Sequence, residues 1–502
     1  MNLTVIFYNQ HWFHLASLIE AVMSEKEKYD KITVHFLNKG LKVQPLFLHQ
    51  AFPLSNNFGN SPEKKLERYL TEKIGNRKFK MHFPDLSNHV LTSQPCSFQN
   101  IEELKGYKIS GRSVGFSIAS HLISHSRDSS PSTLKYSNWI NSALDTDCQI
   151  AEYVNGLNLK HNKDEFWICN GRPFHERSTL EAVRAFGIKT KYFEVHSGEN
   201  LEKGWTLNDF SPHDRIKFQN AILDSTPLDI IESHKVDTWF NSRKNPKNNL
   251  FTGNQKENLG ISHKTPYIVY FSSSDDELAA ISDDWISPWG NQILAVQKLI
   301  QVCAEFPQIN LVIRVHPNQG NKSRSDKARW ESLRSSGNTI VIPYGSKIDS
   351  YKVMSDSEGV ITHGSTMGIE AAYMEKRLAF LSHSMHDILI PAPLLATEDA
   401  IRSWVVDVVK QKSEDRREEM KLGAQIFATF MLVGANPWKE VTILRNRNRV
   451  IGFLNGESLR PKNVSIILTR MYLWVHREIV ERKLEELYWF FRVPKLNSPA
   501  KG

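Results

Sequence analysis

Three short polar clusters in the second half of the chain combine residue types that suit phosphate oxygens. Arg314-Val315-His316-Pro317 closes an apolar run, Asn310–Ile313, that reads as a strand. Pro317 stops regular pairing, fixes φ and biases His316 toward extended backbone. The expectation is an imidazole and a guanidinium directed into a crevice at a strand end, where open α/β sheets hold ligands. The competing reading is an Arg314 in solvent and a His316 that merely ends a strand. The second cluster, His363, Gly364, Ser365 and Thr366, runs from the strand-like Val360-Ile361-Thr362 into a helix beginning near Met367. A helix start offers unpaired N–H groups to an anion, and Glu370, one turn in, could accept from ribose hydroxyls. An ordinary N-capped helix accounts for the same residues. The third cluster, Ser272, Ser273 and Ser274, followed by Asp275-Asp276-Glu277, is a helix cap, a crevice wall, or both.

In the first half, Asn170-Gly171-Arg172-Pro173-Phe174-His175-Glu176-Arg177 leaves a buried-type strand and enters a helix. A carboxylate at such a lip could take a proton from a bound hydroxyl, so Glu176 is the first candidate base. Glu194, at the end of the next strand, and Asp209 are its reserves. Each is equally readable as a helix-starting acid or a solvated charge. His11 and His14 follow the first strand and, with Asn170, Arg172 and His175, are candidate contacts for a second substrate. Asp145-Thr-Asp147 is the one Asp-x-Asp, follows no convincing strand, and reads as a pair of surface residues. No metal site is expected.

These clusters need elements to hold them. Leu3–Tyr8, Ile32–Leu37, Phe166–Asn170 and Thr190–Val195 read as strands, with helix-like His14–Met23 and Arg177–Phe186 between them. The stretch 50–100 is polar and predicts loops and short helices. After an Asn/Lys-rich stretch the alternation resumes, with strands at Tyr267–Phe271, Asn310–Val315, Thr339–Pro343 and Gly359–Thr362. The expected fold class is α/β, two Rossmann-like domains facing a central cleft, plus a C-terminal amphipathic helical tail. The expected divisions are a first domain over 1–240, a linker over 241–265, a second domain over 266–430, a crossover over 431–456 and the tail over 457–502.

With 63 basic and 55 acidic residues among 502, the net charge of +8 is mild for this length and gives no reason to expect nucleic acid. Half of that excess lies in the last 46 residues, where nine Lys/Arg stand against five Asp/Glu. Residues 464–492 contain one helical stripe of Leu473, Val480, Leu484, Leu487 and Phe491, interspersed with Trp, Tyr and Arg. That mixture suits a helix lying on an anionic membrane surface, or one docked on protein. No apolar run approaches the roughly 18 residues of a membrane span. The absence of a leader pattern and four widely separated cysteines point to the cytoplasm, with association at the inner face of the membrane through the tail.

Arg314-Val-His-Pro317, Asp349-Ser350 and Thr362-His-Gly-Ser-Thr-Met-Gly-Ile-Glu-Ala371 together resemble the nucleotide-binding domain of bacterial surface-polysaccharide glycosyltransferases of the GT-B fold. The likeness is greatest to the capsule polysaccharide biosynthesis group, which includes retaining Kdo transferases. It covers about 266–400, and 166–200 more loosely through Asn170-Gly171-Arg172. A similar His-Pro and Ser arrangement occurs in transferases of CMP-sugars and CDP-glycerol. The resemblance implies that His316, Pro317 and Ser365 hold donor phosphate. It also implies a glycosyltransferase, metal-independent, with a nucleotide-sugar (CMP-Kdo favoured) as co-substrate and no further cofactor. The acceptor would be a saccharide or glycolipid, and stereochemistry stays open. Alternatives are a CDP-polyol phosphotransferase, a nucleotide-sugar epimerase of the same plan, and a noncatalytic glycan-binding assembly protein.

Overall fold

The computed structural model describes residues 1–8, 12–43, 61–88, 95–196, 204–244, 259, 265–279, 281–412, 416–446 and 449–459. Two parallel sheets organise it. The first contains β1 (Asn2–Phe7), β2 (Lys31–Phe36), β3 (Phe79–His82), β4 (Asp164–Cys169), β5 (Lys189–Val195) and β6 (Trp205–Asn208). Their spatial order is β3-β2-β1-β4-β5-β6, parallel except for β6, which returns antiparallel to β5. The second contains β7 (Tyr267–Phe271), β8 (Asn310–Arg314), β9 (Thr339–Ile342), β10 (Gly359–His363) and β11 (Leu378–Ser382). Its order is β11-β10-β7-β8-β9, parallel throughout. Both sheets therefore place their first strand beside their fourth, the doubly wound order, with a ligand crevice where the winding reverses.

The central strands are apolar on both faces because helices cover both. Tyr267–Phe271 and Gly359–His363 are buried from end to end. Helices start where a side chain can accept an otherwise unpaired N–H. Asn291 accepts from Leu294, Asp349 from Tyr351 and Lys352, and Thr397 from Ala400.

The structure corrects several expected boundaries. Helices Arg215–Ser225 and Ser233–Arg243, expected in the first domain, belong to the second. Their Ile222, Val236, Trp239 and Phe240 share one apolar cluster with Val269, Phe271, Val360 and Ala424. The expected linker 241–265 falls largely outside the described residues, and its first positions end a helix. Residues 431–433 end the helix Arg417–Val433, and the described residues from 434 to 459 form neither a plain crossover nor the start of a helix. They return to the first domain as a meander of β12 (Thr442–Asn446), β13 (Arg449–Leu454) and β14 (Glu457–Ser458). Val441, Leu454 and Leu459 enter the first domain's core, and the Glu20 carboxylate accepts three successive N–H groups, from Lys439, Glu440 and Val441. The stretch 50–100 holds a 13-residue helix, Pro62–Ile74, and edge strand β3. The tail stripe 464–492 lies outside the described residues. Among the described residues no helix is long and apolar enough to cross a membrane.

Candidate functional site

The three polar clusters of the second domain sit on β10, β7 and β8, which are adjacent in the sheet, and all three lie at carboxyl ends. The serines after β7 tie this edge together. The His316 N–H donates to Ser272 Oγ at 2.7 Å, and Asn318 Nδ2 donates to Ser274 Oγ at 3.2 Å. The Ser273 N–H donates to Gln292 Oε1 at 2.8 Å. All three serines are buried, so they shape the crevice wall.

His316 caps the short 3-10 turn Pro317–Asn321, its Nδ1 accepting the Asn318 N–H at 3.1 Å. That bond assigns the ring proton to Nε2. Burial first, then Lys322 and Arg314, hold the imidazole down to about 4. At neutral pH His316 is an uncharged Nε2–H donor.

Arg314 does not enter the crevice. It is buried, and it donates to Ser350 Oγ at 3.2 Å, the Pro343 carbonyl at 2.8 Å and the Ser346 carbonyl at 3.3 Å. Burial lowers it to about 10. A strand-end residue whose side chain turns toward the β9 side finds backbone carbonyls there, and Arg314 serves as a brace for residues 343–350.

After β10 the chain turns through Gly364 at φ +74°, where an added Cβ would lie 2.8 Å from Leu278 Cδ1 and 3.3 Å from the His383 carbonyl. Only glycine combines that conformation with that close approach. Ser365 Oγ accepts the Met367 N–H at 3.3 Å, and Thr366 is exposed at the helix start. His363 is buried, its Nδ1 has no hydrogen-bond partner among the described residues, and burial lowers it to about 3. Glu370 is also buried, one oxygen paired with Arg243 and Oε2 without a hydrogen-bond partner among the described residues. Arg243 Nη2 also reaches Thr366 Oγ1 at 3.3 Å.

The first domain contributes an opposing wall. Asn170 and Gly171 turn out of β4 at φ +56° and +85°. Asn170 Nδ2 donates to Glu194, and its Oδ1 accepts from His213 Nε2 at 2.9 Å. His14 Nε2 lies 3.7 Å from Glu194 Oε1. Glu176 is buried in the first turn of helix Phe174–Arg184, and burial with the nearby Glu194 pushes it up to about 8. Two neighbouring carboxyls thus differ: Glu176 is a neutral acid at pH 7, while Glu194 accepts hydrogen bonds from Asn170 and the Val195 N–H. Burial, then Arg172 and Arg177, hold His213 neutral, at about 3.

Three other expected positions are corrected. Asp209 follows β6, whose antiparallel course takes it to the opposite edge of the sheet, where it is exposed and 3.6 Å from Lys189. His175 is buried, its Nε2 bonded to the Val43 carbonyl at 2.7 Å, which makes it a packing residue. Asp147 is no surface residue: it is fully buried against Arg112 at 2.7 Å, whereas Asp145 pairs with Lys42. Both lie on helix Ser137–Gly156, where residues two apart diverge and cannot share a cation. His11 lies outside the described residues. Arg172 takes its N–H to Asn170 Oδ1 at 3.1 Å, at the turn itself.

The two walls touch. Arg177 donates to the Ile281 carbonyl, and Trp285 Nε1 to the His213 carbonyl at 3.0 Å. Asp128 accepts from Ser323, Ser325 and Arg329. His213, Arg243 and Arg215 were missed in the sequence because they lie on loops and helices after the first sheet, not at a strand end. A groove of about 850 Å³ lies elsewhere, beside Glu20, Trp205, Asp209 and Glu440. It faces the wrong edge of the first sheet for this site.

No family model and no curated protein matches the chain. Among solved structures, the KpsC β-Kdo 2,4-transferase from Thermosulfurimonas dismutans matches at 12% identity and TM-score 0.35, covering 56% of this chain and 87% of that one. The β-Kdo 2,7-transferase of the same KpsC matches at 14% and 0.33, covering 57% and 88%. UDP-GlcNAc 2-epimerase from Neisseria meningitidis, bound to UDP-GlcNAc, matches at 12% and 0.28, covering 86% and 99%. Likenesses this distant carry no functional argument. The expected pair of Rossmann-like α/β units is present as two doubly wound sheets that touch each other.

Proposed function

We propose that the chain is a glycosyltransferase that binds a nucleotide-sugar on the second domain and transfers the sugar to a saccharide or glycolipid acceptor on the first. The observation that supports this most is the convergence of Ser272, His316 and the Gly364–Thr366 turn on three adjacent strand ends at the reversal of the winding. In this reading the His316 Nε2–H and the N–H groups around Ser365 and Thr366 bind donor phosphate, and no metal is required. Oε2 of Glu370, without a partner among the described residues, is the acceptor that a ribose hydroxyl would satisfy. Glu194 takes the acceptor proton, with Asn170 and His213 holding its orientation. A CMP-linked sugar such as CMP-Kdo is the favoured donor, on motif resemblance alone. Attachment to anionic membrane through residues 464–492 belongs to the same proposal and rests on sequence alone.

One observation favours a second reading. Glu176 and Glu194 set an acid and a base side by side, the equipment an epimerase needs. A thermal-shift panel of CMP-, CDP-, UDP- and GDP-compounds, repeated on His316→Ala, tests the donor site. Product analysis then separates the readings: an epimerase converts the nucleotide-sugar alone, whereas a transferase needs acceptor. Binding of no nucleotide refutes both.

A further inference from the structure

The 3-10 turn that His316 caps is fastened to the first domain by a set of charged and hydroxyl groups. The anchor is Arg127-Asp128-Ser129, just past helix Val114–Ser126, whose Val114, Ile118 and Leu122 share an apolar cluster with Phe174 of the first domain. Arg127 ends that helix at φ +52°, in the left-handed region that a residue with a Cβ seldom adopts. Its carbonyl accepts the Ser323 N–H at 3.1 Å, and its Nη1 donates to the Asn321 carbonyl at 3.3 Å. Backbone strain of this kind persists where surrounding contacts over-determine it, and these contacts come from the opposite domain.

Asp128 is buried at the join. Ser323 Oγ donates to it at 2.8 Å and Arg329 Nη2 at 2.5 Å, and Ser325 Oγ donates to it as well. Burial alone would raise this carboxyl, but the bonds from Ser325 and Arg329 and the charge of Arg329 hold it below the usual carboxylate range. Arg329 also pairs with Asp326, so one guanidinium stands between a carboxylate of each domain. Ser129 Oγ adds a bond to Asp326 Oδ1 at 3.0 Å. Domains joined by polar groups in this way can part more readily than domains joined by an apolar core.

From Asp128 the bonds continue to His316. Ser323 Oγ, while donating to Asp128, accepts the Asp326 N–H at 3.0 Å and caps helix Arg324–Glu331. Asp326 accepts from Gln319 Nε2, and the Gln319 N–H donates to the His316 carbonyl at 2.9 Å. Asn321 Nδ2 donates to Asn318 Oδ1 at 3.1 Å, and the Asn318 N–H is the one that His316 Nδ1 accepts. Asp326 and Gln319 are buried, so a partner lost at one point leaves the next group unsatisfied and disturbs the whole turn.

We propose that Asp128 is a positioning residue for the nucleotide site: by holding Ser323, Ser325 and Arg329 it fixes the turn from which His316 meets phosphate. The first domain thereby sets the nucleotide affinity of the second, and by linkage a bound nucleotide tightens the join between them. The inference rests on the donor-site reading above.

The test is calorimetric titration of CMP, CDP, UDP and GDP into the full chain, Asp128→Asn, Arg329→Gln and His316→Ala, and into each of the first two variants combined with His316→Ala. Asp128→Asn removes the charge and keeps an acceptor oxygen, while Arg329→Gln breaks the same pair from the other domain. Each should weaken nucleotide binding about tenfold when His316 is present, and less than about twofold once His316 is Ala. A merely structural role would lower the melting temperature and weaken binding equally in both backgrounds. Affinity within about twofold of the parent in either single variant, or an equal loss with and without His316, refutes the positioning role while the donor site stands. If no nucleotide binds the parent, the donor-site reading itself fails, and this inference with it.

Discussion

Replacing Glu176 by Gln should make the protein more stable at alkaline pH and remove one component of its pH dependence. Burial raises the folded-state value from 4.5 to about 8, with the charge of Glu194 adding to it. The unfolded chain keeps the ordinary value near 4.3. Between the two values the folded state binds the proton and the unfolded state does not. The contribution of the neutral acid is therefore complete below the unfolded value and is lost as pH rises through 8. A shift of this size, at 1.36 kcal/mol per pH unit, corresponds to about 3–5 kcal/mol. Gln keeps the size and polarity of the neutral acid but has no proton to lose. Urea unfolding of parent and variant at a series of pH values from 5 to 9 measures the difference directly, because other titrating groups cancel between them. The parent should lose about 3–5 kcal/mol relative to the variant across that range. Parallel stability curves for the two proteins would refute the assignment of Glu176 as a buried neutral acid.

Three further outcomes are expected. His316→Ala should weaken nucleotide binding by about 1–3 kcal/mol, while His316→Asn, which can still accept the Asn318 N–H, should match it in affinity but melt higher; unchanged nucleotide affinity in calorimetry would reduce His316 to a cap. Glu194→Gln should lower turnover by about 100-fold or more, whereas Asp209→Asn should leave it within about twofold, since Asp209 stands at the far edge of the sheet; similar losses in a steady-state assay would overturn this site. Removing residues 461–502, a cut placed beyond the buried Leu459, should release the protein from anionic vesicles at low salt and leave nucleotide binding intact. Failure of the full chain to co-sediment with such vesicles would exclude the membrane reading.

Eight of the eleven strands in the two large sheets were legible, the central ones because they are short apolar runs bounded by polar residues; β3, β6 and β11 were not. Tyr267–Phe271 coincides with β7, and Asn310–Val315 with β8 plus one residue. Less was legible where elements are amphipathic and their partners distant. The Lys-rich helix Pro62–Ile74 and the four-residue strand Phe79–His82 were hidden in a polar stretch. The helices of residues 215–243 could not be allotted to a domain from their own pattern, since an apolar face does not say which core it meets.

By itself the sequence determined that Arg314, His316, Ser272 and Gly364 stand at strand ends, because strand limits follow from local hydrophobicity, proline and glycine. It could not determine where their side chains go. Only the tertiary structure decided that Arg314 turns back to brace carbonyls while His316 Nδ1 accepts the Asn318 N–H. Only there do Asn170, Glu194 and His213, or Arg215, Asp387 and His383, become neighbours. Direction and partnership are set by which strand lies alongside which, and sheet order is a long-range property that no local run of residues encodes.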